Sequence, residues 1–380
     1  MVTVTKETIK VKSIFSGNDI PIKYKKLDWQ TDIAQKGAFP HYMVKEIYDQ
    51  PQILETIALS NRKVLLPLCD LITKSHGTYL VGCGTAAYAC LAGTYIFSKI
   101  AKKHINYAVG SEFEYLLDYL TDKSFVFALS QSGETIDVIE AVKKAKEKGA
   151  QVGTMVNVLG STLYRIADTV LLLNAGVEKA VVSTKAFTTK LAYMIKIAGI
   201  LSKKEEKVTK DLLAASSEAK LILEKENLGE IISIADKIKN NSHIYVIGRG
   251  LSYPIALETA LKIKEASYIH AEGFAAGELK HGVIALIEKG TPCIAFLPND
   301  ETFGASLAGA MEMKARCGYI IGISFAPHEI FDYYLPVKDC GIASLIPNVI
   351  IGQLIGYYLS VIKGYDPDMP RNLAKSVTVK

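Results

Sequence analysis

From about residue 53 to residue 363, short apolar runs alternate with amphipathic stretches. The run Phe125–Leu129 (FVFAL) is apolar throughout and ends in the polar hexapeptide Ser130-Gln131-Ser132-Gly133-Glu134-Thr135. Beyond it Val138, Ala141, Val142 and Ala145 recur at i, i+3, i+4 and i+7, which predicts a helix over 136–148 stopped by Gly149. Strands that are apolar on both faces and alternate with such helices predict βαβ units with a parallel sheet covered on both sides. The hexapeptide is then a strand-to-helix turn.

The pattern occurs twice. TYLVGCGTAAYACLAGT (78–94) is echoed 166 residues later by IYVIGRGLSYPIALETA (244–260), and SFVFALSQSGET (124–135) by TPCIAFLPNDET (291–302). The expected fold class is α/β: two doubly wound parallel-sheet subdomains related by an internal pseudo-repeat, over 53–203 and 208–363. The charged stretch LSKKEEKVTKD connects them. Residues 1–52 are read as an N-terminal arm, whose first 27 residues are β-rich and Lys-rich with a turn at SGND; 364–380 is a tail without periodicity. The uncharged run 340–362 is long enough to cross a bilayer, but Pro347, Asn348, Gln353 and the pair Tyr357-Tyr358 predict a buried helix instead. No membrane partner is expected.

Composition removes other classes. A chain of 380 residues exceeds the size of one ordinary core, in keeping with two halves. The net charge of +5 comes from lysines spread along helical patterns, without the aromatic-basic interleaving that grips nucleic acid, so no nucleic-acid partner is expected. Cys69, Cys83, Cys90, Cys293, Cys317 and Cys340 form no CxxC pair, which predicts reduced thiols in a cytoplasm and neither disulfides nor zinc. The N-terminus has no apolar signal-peptide region.

The turn at 130–135 lies where backbone N–H groups and the positive end of a helix dipole meet ligands at the carboxyl edge of a sheet. Ser130, Gln131, Ser132 and Thr135 there make a cradle for an oxygen-rich anion, most simply a phosphate; capping of the helix is the other reading. The cradle has no P-loop lysine motif. Gly82-Cys83-Gly84-Thr85 is a tight turn that brings a ligand to Thr85, with no third glycine and no later acidic residue for a dinucleotide. No cofactor is expected.

Glu258, Lys262 and Glu265 share one helical face at i, i+4 and i+7, flanked by Leu257, Ala260 and Leu261. Such a stripe is either solvated or chemical, and the following stretch HAEGFAAGELKHG, read as a loop with His270 and His281, favours chemistry. In the tail, Lys375 sits among Leu373, Ala374 and Val377. It is either a frayed exposed lysine or a desolvated amine nucleophile.

HYMVKEIYDQP, CGT, SQSGET, STKAFTT, YPIALETALKIKEASYIHAEGFAAGELKHG and PRNLAKSVTV closely resemble, in order from Trp29 onward, the sugar-isomerase (SIS) part of the glutamine:fructose-6-phosphate amidotransferase family. The resemblance implies two SIS subdomains. It further implies that Ser130, Gln131, Ser132 and Thr135 hold the phosphate of fructose 6-phosphate, and that Cys83, Gly84, Thr85, Val181, Ser183, Glu258 and Ala374 line the sugar. Glu265 matches the base that moves a proton between C1 and C2, with Lys262 one turn before it. His281 matches a ring-opening group supplied by the neighbouring subunit, hence a homodimer. Lys375 matches the Schiff-base lysine, which ammonia displaces on the way to glucosamine 6-phosphate.

Two departures stand out. Ala86 follows C-G-T where the family often has serine, and Met1 is followed by Val2 rather than the cysteine of the family's N-terminal glutaminase. Ammonia is therefore expected from a glutaminase domain or partner. The expected activity is ammonia-dependent synthesis of glucosamine 6-phosphate by aldose-ketose isomerisation. The alternatives are a glucosamine-6-phosphate deaminase, or an SIS module that binds a sugar phosphate without turning it over.

Overall fold

A computed structural model describes residues 1–22 and 35–379. Residues 23–27 of the expected β-rich piece and Trp29 lie outside the described residues. The chain divides at Gln35 into two units. In the first, β1 (Val2–Val4) pairs antiparallel with β2 (Ile9–Val11), and a further bridge joins Lys12 to Asp19 around the turn.

In the second unit the helices are α1 (Tyr42–Tyr48), α2 (Gln50–Leu59), α3 (Leu66–Lys74), α4 (Thr85–Ile96), α5 (Gly110–Phe113), α6 (Ile136–Glu147), α7 (Thr162–Ile166), α8 (Lys185–Leu201), α9 (Glu205–Ile222), α10 (Lys225–Ile238), α11 (Ser252–Ser267), α12 (Phe303–Lys314) and α13 (Leu345–Ile362). The first sheet contains β3 (Thr78–Gly82), β4 (Asn106–Val109), β5 (Phe125–Leu129), β6 (Gln151–Val156) and β7 (Thr169–Leu172), in the order β4-β3-β5-β6-β7. The second contains β8 (His243–Gly248), β9 (His270–Ala275), β10 (Pro292–Leu297), β11 (Tyr319–Ser324) and β12 (Tyr333–Pro336), in the order β9-β8-β10-β11-β12.

Both sheets are parallel throughout and share one strand order, second-first-third-fourth-fifth. The repeat read from sequence is thus a repeat of topology. In each sheet the winding reverses between the first and third strands, and the crevice beyond that point is where such sheets bind ligands. In the first sheet Val81 lies opposite Ala128, so the turns at 83–85 and 130–135 flank the reversal together.

The largest apolar cluster lies between the halves, where α4, α8, α11 and α13 bring their buried faces together. Gly341–Ile362 is long and apolar enough to cross a membrane, yet it is mostly buried inside the protein, as the polar interruptions predict. Three expectations need adjustment. The division drawn at residue 53 falls inside α2, a continuous helix that packs on α8 and α9. The charged connector is mostly the start of α9. The presumed loop at 270–282 begins as β9, an edge strand paired only with β8, where Gly273 lets the backbone of α11 pass at a distance no side chain would allow.

Candidate active site

A cavity of about 100 Å³ opens at the reversal point of the first sheet, lined by Cys83, Thr85, Ser130, Gln131, Ser132, Thr135, Val181, Ser183 and Lys375, and also by Ala86, Leu129 and Lys190. Nine sequence-predicted residues therefore meet around one space. Gly84 stands beside them with a left-handed φ of 53°, the conformation that lets the chain turn from β3 into α4. Ala374 is the neighbour of Lys375 and does not line the cavity itself.

In the cradle, Ser130 Oγ accepts from the Gly133 amide at 3.0 Å and lies 3.2 Å from Thr135 Oγ1, while Ser132 Oγ accepts from the Glu134 amide at 3.1 Å. These bonds fold the turn upon itself. Gly133, with φ of 68°, could not be replaced, since a Cβ would meet Ser161 Oγ. No side chain caps α6: its N-cap, Thr135, makes no capping bond, and the Ile136 amide goes to the carbonyl of Val377 in the tail at 3.1 Å.

Two of the three charges of the α11 stripe are buried, and the third, Glu265, is half-buried. Glu258 and Lys262 have no exposed side-chain surface, and Lys262 stands 3.4 Å from Glu258 and 2.6 Å from Glu265. Lys262 also donates to Thr85 Oγ1 at 3.0 Å and to the Ser183 carbonyl, and Thr85 donates to Glu258 at 3.2 Å. Thr85 thereby links the cavity to Glu258 and Lys262 directly, and to Glu265 through Lys262. Burial, reinforced by Glu265, pushes the Glu258 carboxyl up to about 7 despite Lys262 and Thr85. Burial pulls Lys262 down, but the two carboxylates outweigh it and hold its ammonium above the usual range.

The tail is tethered rather than frayed. Asp368 accepts from the first amides of α1, at Tyr42 and Met43, both at 2.7 Å, and its carbonyl accepts from Val181. Arg371 stacks on Tyr268. Lys375 donates to Glu178 at 2.8 Å and to the Ala180 carbonyl at 2.6 Å. Glu178, wholly buried, also accepts from Ser183 Oγ and the amides of Thr184 and Ala186. Burial opposes its ionisation, but Lys375 and these donors keep it well below the usual carboxylate range. Behind it, burial and the charge of Glu178 push Glu46 up.

Glu178, Glu46 and Lys190 were missed in the sequence. The available signal was a charge inside largely apolar surroundings, Glu178 after the β7 run and Lys190 ahead of the run Leu191–Ile195. The structure does not bring His281 to the cavity; it is the exposed last residue of a 3-10 turn, Ala276–His281.

The SIS domain profile matches residues 71–195 and 237–331, more than half of the chain. The chain belongs to the SIS domain family. A curated relative from Thermococcus kodakarensis, named glutamine-fructose-6-phosphate aminotransferase (isomerizing), is 38% identical over 99% of this chain. One of the same name from Clostridium tetani is 38% identical over the whole chain. The chain spans 64% and 65% of their respective lengths. A solved structure titled as the C-terminal domain of glucosamine-fructose-6-phosphate aminotransferase from Francisella tularensis superposes with a TM-score of 0.81 at 33% identity, covering 88% of this chain and 99% of that one. A glucosamine-6-phosphate deaminase from Thermotoga maritima shares the SIS fold, with a TM-score of 0.73 at 22% identity, over 88% of this chain and 99% of that one.

Proposed function

We propose that this chain makes glucosamine 6-phosphate from fructose 6-phosphate and ammonia. The observation that carries the reading is convergence on one cavity of an uncapping hydroxyl-rich turn, a lysine fixed by a buried carboxylate, and a buried acid-base row linked through Thr85. An SIS module that only binds would need the first of these alone. Names and lengths of the relatives support the same reading.

In this scheme Ser130, Gln131, Ser132, Thr135 and the amides of the first turn of α6 beyond Ile136 hold the phosphate. The Lys375 amine attacks C2 of the open-chain ketose and water leaves, forming the Schiff base. Ammonia adds to that carbon and releases the lysine, leaving the C2 imine. Glu265 then takes a proton from C1 and returns it to C2, the proton of the C1 hydroxyl passes to the imine nitrogen, and the amine and aldehyde of glucosamine 6-phosphate result. Glu178 fixes the lysine against the wall. His281 of a second copy would assist ring opening, which makes the working form a homodimer, and ammonia would come from a glutaminase domain or partner.

The test is incubation with fructose 6-phosphate and either ammonium or glutamine, with glucosamine 6-phosphate and glucose 6-phosphate as readouts, and the reverse reaction alongside. Product with ammonium is expected. Tight binding of fructose 6-phosphate with no product in either direction would leave only the binding module.

A further inference from the structure

Helix α8 is buried along sixteen of its seventeen residues, so its three lysines lie inside the protein. Lys185 reaches Asp49 at 2.9 Å. Lys196 donates to the carbonyls of Ile57, Ala58 and Ser60, at 2.8, 3.0 and 2.6 Å, and so closes the end of α2. Lys190 is different. It is 1% exposed, has neither a hydrogen bond nor an ion pair among the described residues, and lines the cavity beside Ala86, Ser130 and Lys375.

A buried ammonium without a partner destabilises the fold, so its place at a ligand cavity calls for a ligand. The other two cations near the cavity are already engaged, Lys375 by Glu178 and Lys262 by Glu258 and Glu265. The cradle itself offers hydroxyls, an amide and backbone N–H groups, and no positive charge. A phosphorylated sugar would enter as a dianion.

We infer that Lys190 is a substrate-binding residue whose ammonium supplies the charge that the hydroxyl cradle lacks for an anionic sugar phosphate. The inference rests on the proposed function and deepens it. Lys190 faces Cys90 from α4, Glu178 from the segment before α8, Glu258 from α11 and Lys375 from the tail. Burial pulls its amine down to about 8, with the two glutamates and Cys90 opposing and Lys375 adding to the fall. Below that pH the cation is in place. Above it the charge is lost, so affinity for an anion falls as pH rises through about 8.

The experiment is calorimetric titration of the full chain and of Lys190→Met, Lys190→Gln and Lys190→Arg with fructose 6-phosphate and, separately, with inorganic phosphate, on both sides of pH 8. In Lys190→Met the dissociation constants should rise about tenfold, as for loss of one charge-assisted contact. The decline of affinity above pH 8 should vanish, and arginine should restore part of the binding. The ligand-free methionine variant should melt at or above the wild-type temperature, because an unpaired buried charge has gone; a merely structural lysine would lower it. Lys190→Gln gives the same reading if the methionine variant does not fold. Unchanged affinities and unchanged pH dependence would overturn the inference. A wild type that binds phosphate but not fructose 6-phosphate would sink the sugar assignment while the phosphate titrations still decide Lys190. Binding of neither anion would end both.

Discussion

The two halves repeat one topology and use it for opposite purposes. At the first reversal point the turn at 130–135 leaves hydroxyls around a cavity of about 100 Å³. At the second, the matching turn is Pro298-Asn299-Asp300-Glu301-Thr302, and the Asp300 carboxylate already accepts from the Thr302 amide and hydroxyl at 2.8 and 2.6 Å. A larger cavity, about 270 Å³, opens there, but Lys99, Lys204 and Lys207 line it opposite Asp211, Asp300 and Asp339, so its charges answer one another. The helices differ in the reverse sense. Glu258, Lys262 and Glu265 of α11 correspond, 166 residues earlier, to Ala92, Ile96 and Lys99. One half presents the turns and the other presents the charged helix face, and Thr85 joins the two through Glu258 and Lys262.

The largest expected effects test the parts without counterparts in the repeat. Lys375→Ala should lower synthesis by about a thousandfold or more while fructose 6-phosphate still binds, and borohydride with the substrate should label Lys375 in the unaltered chain. Labelling at another lysine would remove its role. Glu265→Gln should lower kcat by about a hundredfold or more with little change in KM, and should abolish exchange of solvent deuterium into the substrate. Loss of rate with retained exchange would assign the proton transfer elsewhere.

Next comes pH. Burial holds the Glu258 carboxyl at about 7 in the folded chain, against about 4.5 for an ordinary glutamate. The folded state thus keeps a proton that the unfolded chain has lost between those values, so this group's contribution is present below about 4.5 and is lost as pH rises through about 7. Glu258→Gln should flatten the fall in stability across that window, by up to about 3 kcal/mol. Denaturant titrations at several pH values read this directly. At the position corresponding to Ala92 no such slope can arise.

Smaller again is the cradle itself. Ser132→Ala with Thr135→Ala should raise KM about tenfold to a hundredfold and change kcat less, as expected for contacts made equally in the ground and transition states. Asp300→Ala and Thr302→Ala in the second half should leave KM within about twofold. Equal losses from both turns would mean that the two edges share the ligand, and the contrast drawn above would fail.

Much of this was legible in the sequence, because strand Phe125–Leu129, the glycine turns and the duplication all rest on local pattern. The α11 stripe was legible as a spacing but not as a burial: only the packing of α11 between α4 and α13 decides that Glu258 and Lys262 are inside. Likewise Lys375 reads as half frayed until Asp368 is seen fixing the tail to α1. Glu178 and Lys190 matter through partners they have, or lack, far along the chain. Pairings at such separations leave no periodicity to read.

The smallest effect concerns a contact by which the first half reaches the second turn. Lys99 stands 2.6 Å from Glu301 and 3.8 Å from Asp300, but Glu301 is 69% exposed and Lys99 31%. A pair so open to solvent gains little, since water screens the attraction and two long side chains lose freedom in making it. Lys99→Met should therefore change unfolding free energy by less than about 1 kcal/mol and leave fructose 6-phosphate binding unaltered. The hydrogen bonds that the buried Lys262 sends in the other direction, to Thr85 Oγ1 and the Ser183 carbonyl, lack that screening, so the two crossings differ in consequence. A loss of several kcal/mol in Lys99→Met, read by urea denaturation, would show that the halves are held by this pair rather than by the apolar contacts of α4, α8, α11 and α13.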